Sequence, residues 1–159
     1  MSKALRLLAR RPYAKAELRK RLQQAGYDEE AISAVVKHLS ECQYLDDRAF
    51  AEYWVTNRLR LKSMGKRRLR QELRDKGVAD EIVEAVLNNC APLHDERDLA
   101  LALARQRAQG KSPTKRELRR LSGFLYRRGF SGADVDAVLR KLYAEPDGSG
   151  KAFLDISDK

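Results

Sequence analysis

Apolar positions along this chain fall at helical spacings, and one pattern of them occurs three times. Two leucines four residues apart are followed, four residues later, by a glycine: Leu18/Leu22/Gly26, Leu69/Leu73/Gly77 and Leu121/Leu125/Gly129. Residues at i and i+4 share one helix face, and a glycine just past the end supplies the left-handed turn that closes the helix. One apolar residue comes next (Tyr27, Val78 or Phe130), placed to pack back onto the helix it leaves. A second stripe then follows: Ile32/Val35/Val36/Leu39, Ile82/Val83/Val86/Leu87 and Val135/Val138/Leu139/Leu142. Asp28, Glu29 and Glu30 open the first of these helices and Asp80 and Glu81 the second, where the helix dipole favours acids. Ser131 with Asp134 makes a capping pair at the third.

A further helix precedes each pair. Residues 46–51 and 95–100 align, both opening on acids and continuing as amphipathic helices through Phe50/Trp54/Leu61 and Leu99/Leu103. Residues 4–11 form a shorter counterpart that Pro12 ends. No segment sustains the two-residue alternation of a half-buried strand. The pattern predicts an all-α fold of three tandem three-helix repeats, about nine helices in an elongated, curved, modular arrangement. The expected boundaries are residues 1–43, 44–91 and 92–144, with an acidic, mobile tail at 145–159.

Composition sharpens this picture. Of the 159 residues 35% are charged and 7% aromatic, which suits thin amphipathic helices rather than one thick core. The net charge of +10 points to a polyanionic partner, bound through phosphate contacts and counterion release. The bias is local. Residues 1–26 carry eight lysines and arginines against one acid, residues 58–76 nine against two, and residues 105–128 nine against one. Each window covers a glycine-terminated helix or its approach, so every repeat offers a basic helix.

The candidate partner-binding residues are Arg19 and Arg21 in the first repeat and Lys66, Arg67, Arg68, Arg70 and Arg74 in the second. In the third they are Lys115, Arg116, Arg119, Arg120, Arg127 and Arg128. The competing reading is an ordinary solvated face, since arginine and lysine are good helix formers. Some arginines are expected to cross-link their helix to the acids at neighbouring helix starts. Tyr13, Tyr27, Phe124 and Tyr126 are expected at core or boundary positions rather than stacked on bases.

Other chemistries find less support. His38/Cys42 and Cys90/His94 hold zinc-type ligands at helical spacing, but Pro92 interrupts the second pair and the pairs belong to different repeats. No metal and no cofactor is expected. Both cysteines are read as small buried packing residues of a protein in the reducing cytoplasm. Arg6 interrupts the first apolar stretch, which argues against a signal peptide, and no apolar run approaches bilayer length. Phosphate-loop, nucleophile-elbow and zinc-protease signatures are absent from the sequence, so no catalysis is expected.

Several segments together resemble the RecX family, bacterial regulators of the RecA recombinase. They are ALRLLARRPY at 4–13, Glu17-Leu18-Arg19, Gly26-Tyr27-Asp28, YLDDRAFA at 44–51 and GKRRLRQELRDKGV at 65–78. The likeness runs from about residue 4 to residue 143. It departs at Ala14, where many members carry a serine that would cap the next helix together with Glu17. The resemblance implies a cytoplasmic, monomeric, non-catalytic protein that binds RecA and its single-stranded DNA filament. Such a protein limits filament extension and damps ATPase, strand exchange and coprotease activity. Direct contact with DNA phosphates follows from the charge. The rival reading is a DNA-binding repressor of tandem helix-turn-helix units, although acids open the would-be recognition helices.

Overall fold

The computed structural model describes residues 1–62, 64–90, 95–108 and 113–144. Among the described residues there are nine helices and no strand: α1 (Ser2–Leu8), α2 (Lys15–Gln24), α3 (Glu29–Glu41), α4 (Asp47–Lys62), α5 (Lys66–Asp75), α6 (Asp80–Cys90), α7 (Glu96–Ala108), α8 (Lys115–Arg128) and α9 (Gly132–Ala144). They form three triplets, as the repeat pattern predicts. The acidic tail expected at 145–159 lies outside the described residues. The described residues divide into two compact units, one of residues 1–62 and 69–90, the other of residues 64–68, 95–108 and 113–144.

The predicted stripes form the cores. In the first triplet Leu18 and Leu22 of α2 meet Ile32, Val36 and Leu39 of α3, with Ala4, Tyr13 and Leu45 closing the cluster. In the second, Phe50, Ala51 and Val55 are buried, as are Leu69, Leu73, Val78, Val83, Val86 and Leu87. In the third, Leu121, Leu125 and Phe130 pack with Val135, Val138 and Leu142 and with the small residues Ala100 and Ala104 of α7. Alanines there let α7 approach α9 closely.

Gly26, Gly77 and Gly129 all have positive φ, of 86°, 78° and 89°. After each of them the next residue donates its N–H back to the second leucine of the motif (Tyr27 to Leu22 O, Val78 to Leu73 O, Phe130 to Leu125 O). That bond satisfies a carbonyl the helix end leaves open. Asp28 caps α3 by accepting the Ala31 N–H at 2.8 Å, Asp46 accepts from Arg48 at the start of α4, and Asp95 from Arg97 at α7. Ser131 accepts the Asp134 N–H at α9.

Two expectations need correction. Val78 and Phe130 are buried, but Tyr27 is 48% exposed. Cys42 is exposed rather than buried: α3 ends at Glu41, so no further turn carries Cys42 over the core. Its Sγ lies 3.8 Å from His38 Nε2. Among the described residues no three metal-type ligands cluster; the side chain of Cys90 and all of His94 lie outside them.

Candidate nucleic-acid interface

The starts of the three basic helices α2, α5 and α8 determine what their cations can do. Ala14 precedes α2 and has no side chain able to cap it. The Lys15 N–H is instead accepted by Asp47 Oδ1 at 2.7 Å, an acid from the first turn of α4. The same arrangement recurs one repeat on, where the Lys66 N–H reaches Glu96 Oε1 at 2.6 Å in the first turn of α7. At α8 the device changes. Thr114 accepts the Glu117 N–H at 3.3 Å and Glu117 accepts the Thr114 N–H at 2.8 Å, a complete capping box within one helix.

The turn glycines follow the same logic. A Cβ on Gly77 would stand 2.4 Å from Ala16 Cβ at the start of α2, and one on Gly129 would stand 2.4 Å from Arg68 N. In that second contact the Gly65 N–H donates to Arg128 O at 3.0 Å and Arg68 Nη1 to Arg127 O at 3.2 Å. Each of these two repeats seats its glycine turn on the basic helix of the repeat before it.

The predicted cations therefore divide by what they touch. Arg19 of α2 bonds Glu29 and Ser33 of α3. Arg70 of α5 holds Glu84 of α6 with Nη2 at 2.8 Å, and Arg74 holds Asp80 at 2.7 Å. Arg70 and its charge hold the Glu84 carboxyl below its usual range. These arginines join helix to helix inside a repeat. Lys66 is half-buried and its charge helps to lower the Asp134 carboxyl. Burial alone would raise Asp134, and the Ser131 and Arg97 hydrogen bonds outweigh it. Arg68 lies against Gly129, and the Arg128 guanidinium lies over the Phe124 ring.

The remaining predicted residues face outward. Arg21, Arg67, Lys115, Arg116, Arg119, Arg120 and Arg127 are exposed, and no side-chain partner reaches them among the described residues. Most belong to α8. Arg107 of α7, inside the basic window but not among the candidate residues, stands over the same ring, 4.5 Å from the Phe124 centroid. In the first unit Lys20 and Arg21 border an open groove of about 510 Å³ with Arg74 and Lys76. Lys20 was legible as part of the basic window, but only the fold brings it beside the end of α5.

A second polar cluster in the first unit is structural. Glu17 accepts from Arg11 at 2.9 Å and from Lys76 at 2.6 Å. Burial pushes its carboxyl upward, and the two hydrogen bonds with their charges overcome that and hold it below its usual range. Trp54 donates its indole N–H to Glu72 at 3.1 Å, with the Arg58 guanidinium over its ring at 4.4 Å. Trp54 thus leaves the purely apolar stripe expected of α4 because its N–H has a carboxylate to meet.

Comparison with known proteins gives the same three-part division. Residues 1–39, 46–87 and 95–139 match the first, second and third three-helix domains of RecX. The chain is 40% identical over 148 residues to a regulatory protein RecX of a Mycobacterium species (strain JLS), covering 89% of this chain and 80% of that one. It is 37% identical over 144 residues to the regulatory protein RecX of Thermobifida fusca, covering 89% and 77%. The crystal structure of RecX from Lactobacillus salivarius superposes with a TM-score of 0.76 at 23% identity, covering 89% of this chain and 92% of that one. Matched over all three triplets and over most of each relative's length, the chain belongs to the RecX family of regulatory proteins.

Proposed function

We propose that this protein is a non-catalytic regulator that binds RecA and RecA–single-stranded DNA filaments. On this reading it inhibits filament extension and, with it, ATPase, strand exchange and coprotease activity in the cytoplasm. It acts as a monomer without metal or cofactor. The observation that carries the reading is the outward set of cations, Arg21, Arg67, Lys115, Arg116, Arg119, Arg120 and Arg127, on a chain whose relatives are named regulatory proteins. Exposed arginines without an internal carboxylate keep their full donor capacity for phosphates or for acids of a partner. The polyanion that most favours them is a nucleoprotein filament, whose strand and protein surface are both within reach of a repeat protein.

The test is RecA ATPase on single-stranded DNA with this protein added below stoichiometry. Inhibition is expected, and it should weaken as salt is raised through the range where phosphate contacts are screened. An unchanged ATPase together with strong selection of one duplex sequence would replace this reading by the repressor.

A further inference from the structure

Gly123 sits in the middle of α8, where glycine costs about 0.5–1 kcal/mol relative to alanine. The fold supplies no reason for it. At Gly65, Gly77 and Gly129 an added Cβ would come within 2.3–2.4 Å of a neighbouring segment, and Gly26 needs its positive φ. At Gly123 the nearest atom is Arg127 Nη1 at 3.2 Å, the far end of a flexible side chain. Alanine would fit and would strengthen the helix.

What surrounds Gly123 is the cationic face. Leu121 and Leu125 point into the core of the third triplet. At 3.6 residues per turn Gly123 lies opposite them, and Lys115, Arg116, Arg119, Arg120, Tyr126 and Arg127 all fall within about 80° of it. The face runs about 18 Å along the helix axis from Lys115 to Arg127. Glu117, the helix's one acid, lies outside this arc and is engaged at the cap. The corresponding central positions of α2 and α5 are Lys20 and Gln71. There the flanking residues include Glu17, bonded to Lys76, and Asp75, bonded to Gln71. Of the three basic helices only α8 carries this face without an acid on it.

We infer that α8 is the seat of a single nucleic-acid strand, with its phosphates against Arg116, Arg119, Arg120 and Arg127 and its backbone over Gly123. A missing Cβ permits close approach of a ligand backbone where a side chain would hold it off. Tyr126, exposed one turn past Gly123, offers a ring for a base, which a duplex would keep stacked internally. The inference deepens the filament-regulator reading and rests on it for the choice of strand.

The test uses the full chain with a labelled oligothymidylate and with a duplex of equal length, read by fluorescence anisotropy across a salt series. Gly123→Leu should keep or raise the melting temperature and weaken single-strand binding about tenfold, with little change in salt slope. The double substitution Arg119→Ala/Arg120→Ala should lower the slope by about 1.4, since each single-strand phosphate contact contributes about 0.7. Gly123→Ala serves as the fold control and should melt no lower than the parent. Single-strand binding unchanged in Gly123→Leu would overturn the inference. So would a lower melting temperature for Gly123→Ala, or a preference for the duplex. Loss of RecA capture without DNA, with strand binding intact, would assign the face to an acidic protein surface instead. The RecA ATPase assay run beside it separates the two readings: parent inhibition with an inert Gly123→Leu removes only the α8 strand site.

Discussion

The starts of α2 and α8 share a spacing and differ in everything it leads to. Each has a glutamate three residues after its N-cap, Glu17 after Ala14 and Glu117 after Thr114. At α8 the threonine and glutamate complete one another. At α2 the cap residue is alanine, fully buried, and the lost acceptor is replaced by Asp47 from the next triplet. Glu17 is thereby available to bind Arg11 and Lys76. The first two repeats take that acceptor from the triplet after them, whereas the third supplies its own. Self-sufficiency at the α8 cap goes with an outward cationic face. The same contrast separates arginines that join helices, such as Arg70 and Arg74, from those of α8 that face outward.

The largest expected effect tests the glycine turns. Gly26 and Gly129 share a left-handed φ, so alanine at either costs about 1–2 kcal/mol in backbone strain. At Gly129 the new Cβ must also displace the backbone at Arg68, adding about 1–3 kcal/mol of overpacking. Urea melts of Gly129→Ala and Gly26→Ala should therefore differ clearly, with Gly129→Ala the less stable. Equal losses would show that the turn of the third repeat does not rest on the start of α5, and the comparison would break there.

A smaller effect tests the two kinds of cap. Asp47→Ala should cost about 1 kcal/mol, in the range of an ordinary N-cap, although the helix it serves begins 32 residues earlier. Hydrogen exchange would report it as faster exchange of the first amides of α2. Thr114→Ala should cost a similar amount, with its exchange confined to the start of α8. If Asp47→Ala perturbs only α4, the cap across repeats contributes nothing.

These caps mark the limit of what could be read along the chain. The leucine–glycine motif and the acidic helix starts made the triplets legible because their physics is local, acting within a turn or two. Asp47 and Glu96 were read as starts of their own helices; their second role needs a contact 30 or more residues back, which no local spacing encodes. The division of the cations was legible only in kind. Arg70 and Ser122 occupy matching positions after the first leucine of the motif, and the pairing of Arg70 depends on Glu84 lying fourteen residues on. Gly123 carried a signal of its own, a glycine inside a helical pattern, but its meaning required knowing that its near neighbour is the flexible end of Arg127 rather than a packed segment.

The smallest expected effect concerns Glu17 and gives the comparison a pH axis. Its folded carboxyl is held below the usual glutamate range despite burial, through Arg11 and Lys76. A depressed value means that the folded state binds the proton less readily than the unfolded one. The stability it contributes is then fully present above the ordinary value of about 4.3 and disappears as pH falls through the folded value. Glu17→Gln should accordingly melt below the parent at neutral pH, and the gap should close on acidification through that window. The cluster is only partly buried, so solvent screening keeps the neutral-pH difference modest. Raising salt should narrow the gap less than it narrows one made by an exposed pair such as Arg48–Glu52, whose partners are both more than half exposed. A gap that stays constant from neutral pH to pH 3 would mean that Glu17 contributes shape rather than charge. Arg11 and Lys76 would then be ordinary surface cations, and α2 would differ from α8 only in where its cap comes from.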